Sequence, residues 1–391
     1  MQRLMIWCLC GSLMLSGLSG CYNRLEKENT VAVTGFGVDV EDGQKVFSVQ
    51  VASPSGKPEQ GGKAKTETLV LKNAAPGYAQ AARLLLLSFP RTPIWSLSST
   101  MLIGERVARE DVALMMDFVT RNRFVRPNIF MFLSLRNAPD EVMKVKTPPE
   151  DYSMVGLVRM IEDQGQQYGI YVPVTLRDFR TKYVTPGVEP VLPQVEILEV
   201  EGEKMLRLNG MAVFQGRHMV GSLNETESRG LRFLERKEIR GGLLAVNISA
   251  PAEAETGPLE DVVTMEIIRS RARCTPQVSP AGIRVLIEIE SEGNIYEQNG
   301  TANLQTTANL SKLEFLTAQV IKDDVSACIS RAQALQSDIF GWGALINQHH
   351  PADWPSLEQN WPEHFSSLEV QIEVKYTIRR AYLMEEPVPI Q

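Results

Sequence analysis

The feature that most constrains this chain is its first twenty-one residues. Arg3 precedes an apolar run, Leu4–Leu15, which gives way to Ser16, Gly17, Ser19 and Gly20 and then to Cys21. A basic start, a short apolar segment and a small-residue exit describe a secretory signal peptide. Leu18-Ser19-Gly20-Cys21 matches the bacterial lipobox, in which the cysteine thiol takes a diacylglycerol before cleavage on its N-terminal side. The thiol is the nucleophile, and the small residues let the peptidase close on the backbone. Residues 1–20 are then a removed leader. Lipidation of Cys21, with its freed amine open to an N-acyl chain, meets the two-signal condition for stable membrane residence. The competing readings are a cleaved signal with an incidental cysteine and an uncleaved anchor, but for the latter the run falls short of the roughly 20 apolar residues that cross a bilayer. The remainder is expected to fold outside a cytoplasmic membrane, behind a short polar tether, residues 21–29.

The 391 residues suffice for two or three domains at roughly 100–200 residues each. Loss of Arg3 with the leader leaves 39 Lys and Arg against 47 Asp and Glu, a net charge of −8. Such a balance offers no basic stripe for a phosphate backbone, so nucleic acid is not expected as a partner. Net charge does not draw the chain to anionic lipid either, which leaves membrane affinity to the acyl chains. Beyond the leader and Cys21, only Cys274 and Cys328 remain. A disulfide between them is open, although Cys328 falls on an apolar helical stripe, the usual place of a small buried hydrophobe. No cysteine pair has metal-site spacing.

Period-two alternation over Thr30–Val40 and Lys45–Ala52, split by Asp42-Gly43, predicts a hairpin. Gly35 and Gly37 precede it, but no Lys-Ser/Thr pair follows, so a phosphate loop is disfavoured. Ser53–Thr66 reads as a loop, Thr68–Lys72 as a strand, Gly77–Ser88 as a helix and Ser96–Gly104 as a buried strand. Apolar spacing of three and four predicts one helix over Glu105–Arg121. Asn128–Leu135 is an expected strand, and Ala138–Val142, Ser153–Gln164 and Thr175–Tyr183 expected helices. Residues 30–184 thus form an N-terminal α/β domain.

Val195–Val200, Met205–Phe214 and Met219–Leu223 predict an antiparallel meander, followed by a helix at Glu225–Leu234 and a strand at Leu243–Ile248. They define a middle antiparallel-sheet domain, 185–257, which ends at the linker 251–258. The C-terminal domain, 258–391, opens on a strand in which Arg269, Arg271 and Arg273 share one face; a charged edge-strand face is preferred to an anion site. Ile283–Ser291 pairs with it. The longest helical signal, 310–339, carries Ile321, Val325, Cys328, Ala332, Leu335 and Ile339 as one stripe. Leu368–Arg380 is the closing strand, and Glu385–Gln391 a frayed tail. The fold class is α+β: three mixed α/β domains with mainly antiparallel sheets.

Catalytic signatures are missing. There is no G-x-S-x-G elbow, H-E-x-x-H helix or Walker loop, and no cofactor or metal is expected. Of the four histidines, His218 reads as a solvated turn. His349, His350 and His364 lie among Trp354, Pro355, Trp361 and Pro362 and read as part of an aromatic clasp on the long helix. Glu225 and Glu227 suit a helix N-terminus. The chain reads as a non-enzyme whose one chemically assigned position is Cys21.

Val31-x-x-x-Gly35-x-Gly37-Val38-Asp39, behind a lipobox and a short charged segment, resembles the Ger(x)C family of spore germination lipoproteins. So do Leu102-Ile103-Gly104-Glu105 with Ala108-Arg109, Leu208–Phe214 with Val220–Leu223, and Glu227-Ser228-Arg229-Gly230. Ser337-Asp338-Ile339-Phe340-Gly341-Trp342-Gly343, followed by Trp354 and Trp361, completes the set. The chain departs from the many members that carry Trp-Asp after the lipidated cysteine, since Tyr22-Asn23 stands there. The resemblance implies the C subunit of a nutrient germinant receptor, lipid-anchored on the outer face of the spore inner membrane beside integral membrane A and B subunits. The competing class is a solute-binding lipoprotein of a transporter, for which two similar lobes around a cleft are expected.

Overall fold

The computed structural model describes residues 29–53, 67–89, 91–248, 262–279, 282–299, 304 and 306–380. The leader, Cys21, most of the tether, the loop 54–66, the linker 251–258 and the tail 385–391 lie outside these residues.

β1 (Thr30–Glu41) and β2 (Gln44–Ser53) form the expected hairpin. Asp42 and Gly43 both take positive φ, 48° and 76°, the primed turn that matches strand twist. After β3 (Glu67–Ala75) come α1 (Tyr78–Leu84), which tightens into a 3-10 turn to Ser88, and β4 (Thr92–Ile94). The first half of the strand expected at Ser96–Gly104 is a 3-10 turn, Trp95–Leu97, and β5 begins at Thr100 and ends at Gly104. The single helix expected over Glu105–Arg121 is two, α2 (Glu105–Glu110) and α3 (Ala113–Arg121). Asp111 is extended between them; its carboxylate caps the Ala113 N–H at 2.7 Å and pairs with Arg217. The Val112 N–H leaves the helix ladder to donate to the Arg217 carbonyl at 3.0 Å. A tertiary contact thus outcompetes an amphipathic pattern.

β6 (Phe130–Ser134), α4 (Pro139–Lys144), α5 (Ser153–Gln167) and α6 (Leu176–Val184) follow, then the meander β7 (Val191–Val200), β8 (Glu203–Gln215) and β9 (His218–Leu223), and α7 (Glu225–Phe233). These strands make one nine-stranded mixed sheet, in the order β3-β2-β1-β5-β6-β7-β8-β9 with β4 beside β1. The boundary expected at 185 falls inside this sheet, because β7 pairs in parallel with β6 at Gln194 and Val195.

The second sheet runs β10 (Leu243–Asn247), β11 (Val262–Ser279), β12 (Gly282–Asn299), β13 (Glu369–Arg380). β10, expected in the middle unit, thus belongs with the C-terminal strands. α8 (Thr307–Ala334) covers this sheet, Leu313, Ile321, Val325 and Cys328 being buried with Val285, Ile287 and Ile289. The helix expected to reach 339 ends five residues earlier. Gln336 adopts φ 53° and the Ser337 N–H bonds back to the Ala332 carbonyl at 3.1 Å, a left-handed helix stop made without glycine. α9 (Trp342–His349), α10 (Trp354–Glu358) and α11 (Trp361–Ser366) lead to β13. Mixed α and β elements with mostly antiparallel pairing make an α+β fold. Among the described residues no helix is long and apolar enough to cross a membrane.

Candidate functional site

Cys21 lies outside the described residues; within them, an apolar groove on the first sheet and the junction between the sheets concentrate aromatic and charged side chains. The groove follows from strand alternation. On β1, Gly35 and Gly37 face α4 and α5, and their hydrogens lie where Met154 and Pro139 leave no room for a Cβ. Phe36 faces the other way. It stacks on Phe47 at 5.4 Å between centroids, and Phe47 meets Trp95 and Phe118 edge-on at 6.0 and 5.8 Å. Tyr78 adds a ring at 5.9 Å from Phe118, and burial, with Asp39, Glu110 and Asp111 nearby, pushes its hydroxyl pKa up.

Over this aromatic floor α1, its 3-10 extension and α3 leave a half-open cavity of about 750 Å³. Its walls include Leu86, Leu114 and Phe124; Leu114 and Phe124 are 59 % and 51 % exposed. Four of the lining residues are basic, Lys45, Arg83, Arg121 and Arg123, against one acid, Asp117, which Arg121 holds at 2.7 Å. Arg123 lies over the Phe124 ring, 5.0 Å from its centroid. Sequence reasoning missed this groove. The signal was the unbroken run Leu84–Leu87, too long for a helix with one buried face.

The junction is organised by Asp338, 2 % exposed. One carboxylate oxygen accepts the Gly341 and Trp342 N–H groups at 2.8 and 3.1 Å, and the other those of Gly343 and the Trp361 indole at 2.7 and 3.0 Å. Burial pushes its pKa up to about 6 against these four donors. Trp342 and Phe340 stack at 4.7 Å, and Trp354 meets Trp361 at 5.3 Å. Gln333 of α8 donates to the Phe365 and Leu368 carbonyls. The expected clasp therefore forms on the long helix. Its other side grips the first sheet: the Glu189 N–H donates to the Asp338 carbonyl at 2.8 Å, Ala344 N–H to Gly187 at 2.9 Å, and the Ser337 hydroxyl to Phe214 at 2.6 Å. Glu189 accepts the Gly216 N–H at 2.8 Å, and burial, with Asp338 nearby, pushes its pKa up to about 7.

The remaining candidates are structural in their surroundings. His218 is exposed at the start of β9, its Nδ1 3.3 Å from the Arg109 carbonyl. His349 and His350 end α9 and His364 lies in α11; among the described residues no three His, Cys, Asp or Glu side chains are grouped to hold a metal. Cys274 and Cys328 are both free thiols. Arg269 and Arg379 share Glu292, and Arg271 pairs with Glu238. Arg269 and Arg271 follow the part of β11 that β10 covers, Val262–Glu266. Glu225 and Glu227 occupy the first turn of α7, where Glu227 closes a capping box with Asn224.

Glycines of the motifs that carry the family resemblance lie at close contacts. A Cβ on Gly104 would meet the Asp39 carboxylate, and one on Gly230 the Asp324 carbonyl. Gly210, at φ 76°, kinks β8 against the Leu223 carbonyl.

Comparison with known proteins agrees with this placement. Residues 23–197 match the family model described as the spore germination protein N-terminal domain, and residues 209–382 the one described as spore germination B3/GerAC like, C-terminal. YfkR of Bacillus subtilis (strain 168) is 21 % identical over 99 % of this chain and 100 % of its own length. The spore germination protein YndF of the same organism is 25 % identical over 44 % of this chain and 41 % of its own. The crystal structure of the GerBC protein superposes with a TM-score of 0.57 at 18 % identity, covering 88 % of this chain and 96 % of that one, which establishes the shared fold. With both domain models matched in order along nearly the whole chain, the protein belongs to the Ger(x)C family of spore germination proteins.

Proposed function

We propose that this chain is the lipid-anchored, non-catalytic C subunit of a nutrient germinant receptor, a scaffold or interaction subunit beside integral membrane A and B subunits on the outer face of the spore inner membrane. The observation that carries the reading is the match to both family domains in one chain whose leader ends in a lipobox at Cys21. The two sheets, one of nine strands and one of four, do not form the two similar lobes that a solute-binding lipoprotein would present. The test is dipicolinic acid release from spores lacking the gene, across a panel of amino acids and sugars with a non-nutrient trigger as control. Loss of response to one nutrient group with the control intact is expected. Normal release under every nutrient would argue against the receptor reading and return attention to solute binding by the purified protein.

A further inference from the structure

We propose that the apolar groove on the first sheet is a membrane-contact site, which seats its rim in the headgroup region of an anionic bilayer beside the Cys21 anchor. The inference rests on the anchoring reading for its geometry, and on the groove for its chemistry. Leu86, Leu114 and Phe124 of the groove wall are exposed, and Leu87, next in sequence to Leu86, is 85 % exposed. Large exposed apolar groups gathered on one surface mark an interaction site.

The choice of occupant comes from charge. The protein carries −7 overall, yet the groove lining carries four basic side chains and one acid. Arg83 and Arg123 have no carboxylate partner among the described residues, and the same holds for Arg91 and Arg126, each one residue from β4 or the groove wall. Apolar side chains ringed by free arginines suit the boundary between acyl chains and anionic headgroups. A locally basic rim would thus add a second, weaker contact to the one the acyl chains supply, on a chain whose net charge is negative.

The chain path supports the same occupant. Thr30, Val31 and Ala32 pair with Thr92, Pro93 and Ile94, and the next residue is Trp95, which lines the groove. The chain from Cys21 to Thr30 spans at most about 30 Å even when fully extended. An anchor at Cys21 therefore keeps the end of the sheet where β1 begins within reach of the surface.

The test uses the full lipidated chain with a polarity-sensitive fluorophore on Leu87→Cys, Phe124→Cys or, as a control on α8, Phe315→Cys; Phe315 is 63 % exposed. All three sites are exposed, so folding is not at stake. Vesicles contain phosphatidylglycerol in phosphatidylcholine, or phosphatidylcholine alone, with a doxyl quencher on the acyl chain. Labels at 87 and 124 should be quenched, and the label at 315 should not. Quenching should fall in added salt and in the absence of phosphatidylglycerol. The pair Arg83→Glu with Arg123→Glu should remove most of it, since each basic group near an anionic surface is worth about a fivefold change in occupancy. Flotation of the same samples separates the failures. If the protein floats but labels at 87 and 124 are quenched no more than the one at 315, the groove assignment is overturned and anchoring stands. If a Cys21→Ala chain floats equally and the groove labels are quenched, the groove assignment stands and anchoring is not required. Quenching that appears only after an integral membrane partner is added would overturn the lipid assignment in favour of a protein.

Discussion

At the scale of single residues, the junction depends on two acids whose roles differ. Asp338 is a fixed acceptor: four donors converge on it from Gly341, Trp342, Gly343 and Trp361. An amide in its place would turn its NH₂ toward two of those donors. Asp338→Asn should therefore destabilise the protein by roughly 3 kcal/mol, because a buried network with one member reversed costs more than its mean bond strength. Urea unfolding at neutral pH checks this, and a change under about 1 kcal/mol, the average worth of one hydrogen bond, would contradict it. Glu189 titrates higher than Asp338. Its pKa rises from an ordinary 4.5 to about 7, through burial first and Asp338 second. The folded chain then holds a proton that the unfolded chain releases, so this group's contribution is full below about pH 4.5 and is lost as pH rises through about 7. The loss should be on the order of 2 kcal/mol. Glu189→Gln keeps an acceptor for the Gly216 N–H, so it should flatten the stability profile across that window and raise stability at pH 8. An unchanged slope would show that the carboxyl is not the titrating group.

At the scale of elements, the two sheets are joined where α7 crosses α8. Arg229 grips Asp324 with two bonds, 2.6 and 3.0 Å, and Gly230 lets the backbones close. A Cβ on Gly230 would lie 2.1 Å from the Asp324 carbonyl oxygen, whereas one on Gly165, in α5, would meet nothing within 4 Å. The two Gly→Ala changes should have opposite signs. Gly230→Ala should cost about 2 kcal/mol through overpacking, and Gly165→Ala should add up to about 1 kcal/mol through helix propensity. Thermal melts of both variants test the contrast, and equal shifts would rule out close packing as the reason for Gly230. The same crossing explains what could be read from the sequence. Helices, strands and turns were visible where a period and a stop signal coincided, as at Asp42-Gly43 and at Thr175, which caps α6 through Asp178. What stayed hidden was set by partners distant in sequence. Asp111 breaks a helix because Arg217 lies opposite it. Ser48 and Gln50 sit at positions that alternation assigns to solvent, yet Gln50 is fully buried, donating to the Met143 carbonyl and Ser153 and accepting from Thr34 and Met154. The Ser337–Gly343 motif was legible as a family mark, but its carboxylate-centred geometry was not, because four donors from two helices cannot be inferred from spacing.

At the scale of the molecule, the proposed anchoring raises the matter of how an acidic subunit would keep one orientation at a membrane. On that reading an acyl anchor at Cys21 would hold one point and leave rotation about it free. A second contact, apolar and basic, would remove that freedom, and Trp95 of the groove follows directly on β4, which pairs with the start of β1. The proposal gives the two contacts different tasks: the anchor would supply most of the affinity, and the groove would select the face turned to the membrane. Their loss should then be separable. Cys21→Ala should move most of the protein out of the membrane fraction while its melting temperature is unchanged, since the fold lies in the two sheets and their junction. Arg83→Glu with Arg123→Glu should leave the lipidated protein in the membrane fraction but weaken nutrient-triggered germination, because a subunit free to rotate presents its partner face only part of the time. Membrane fractionation, melting curves and dipicolinic acid release on the same strains resolve the two effects. If the arginine variants germinate normally while bilayer contact at Leu87 is lost, orientation by the groove has no bearing on the receptor, and its partners alone fix how the subunit stands.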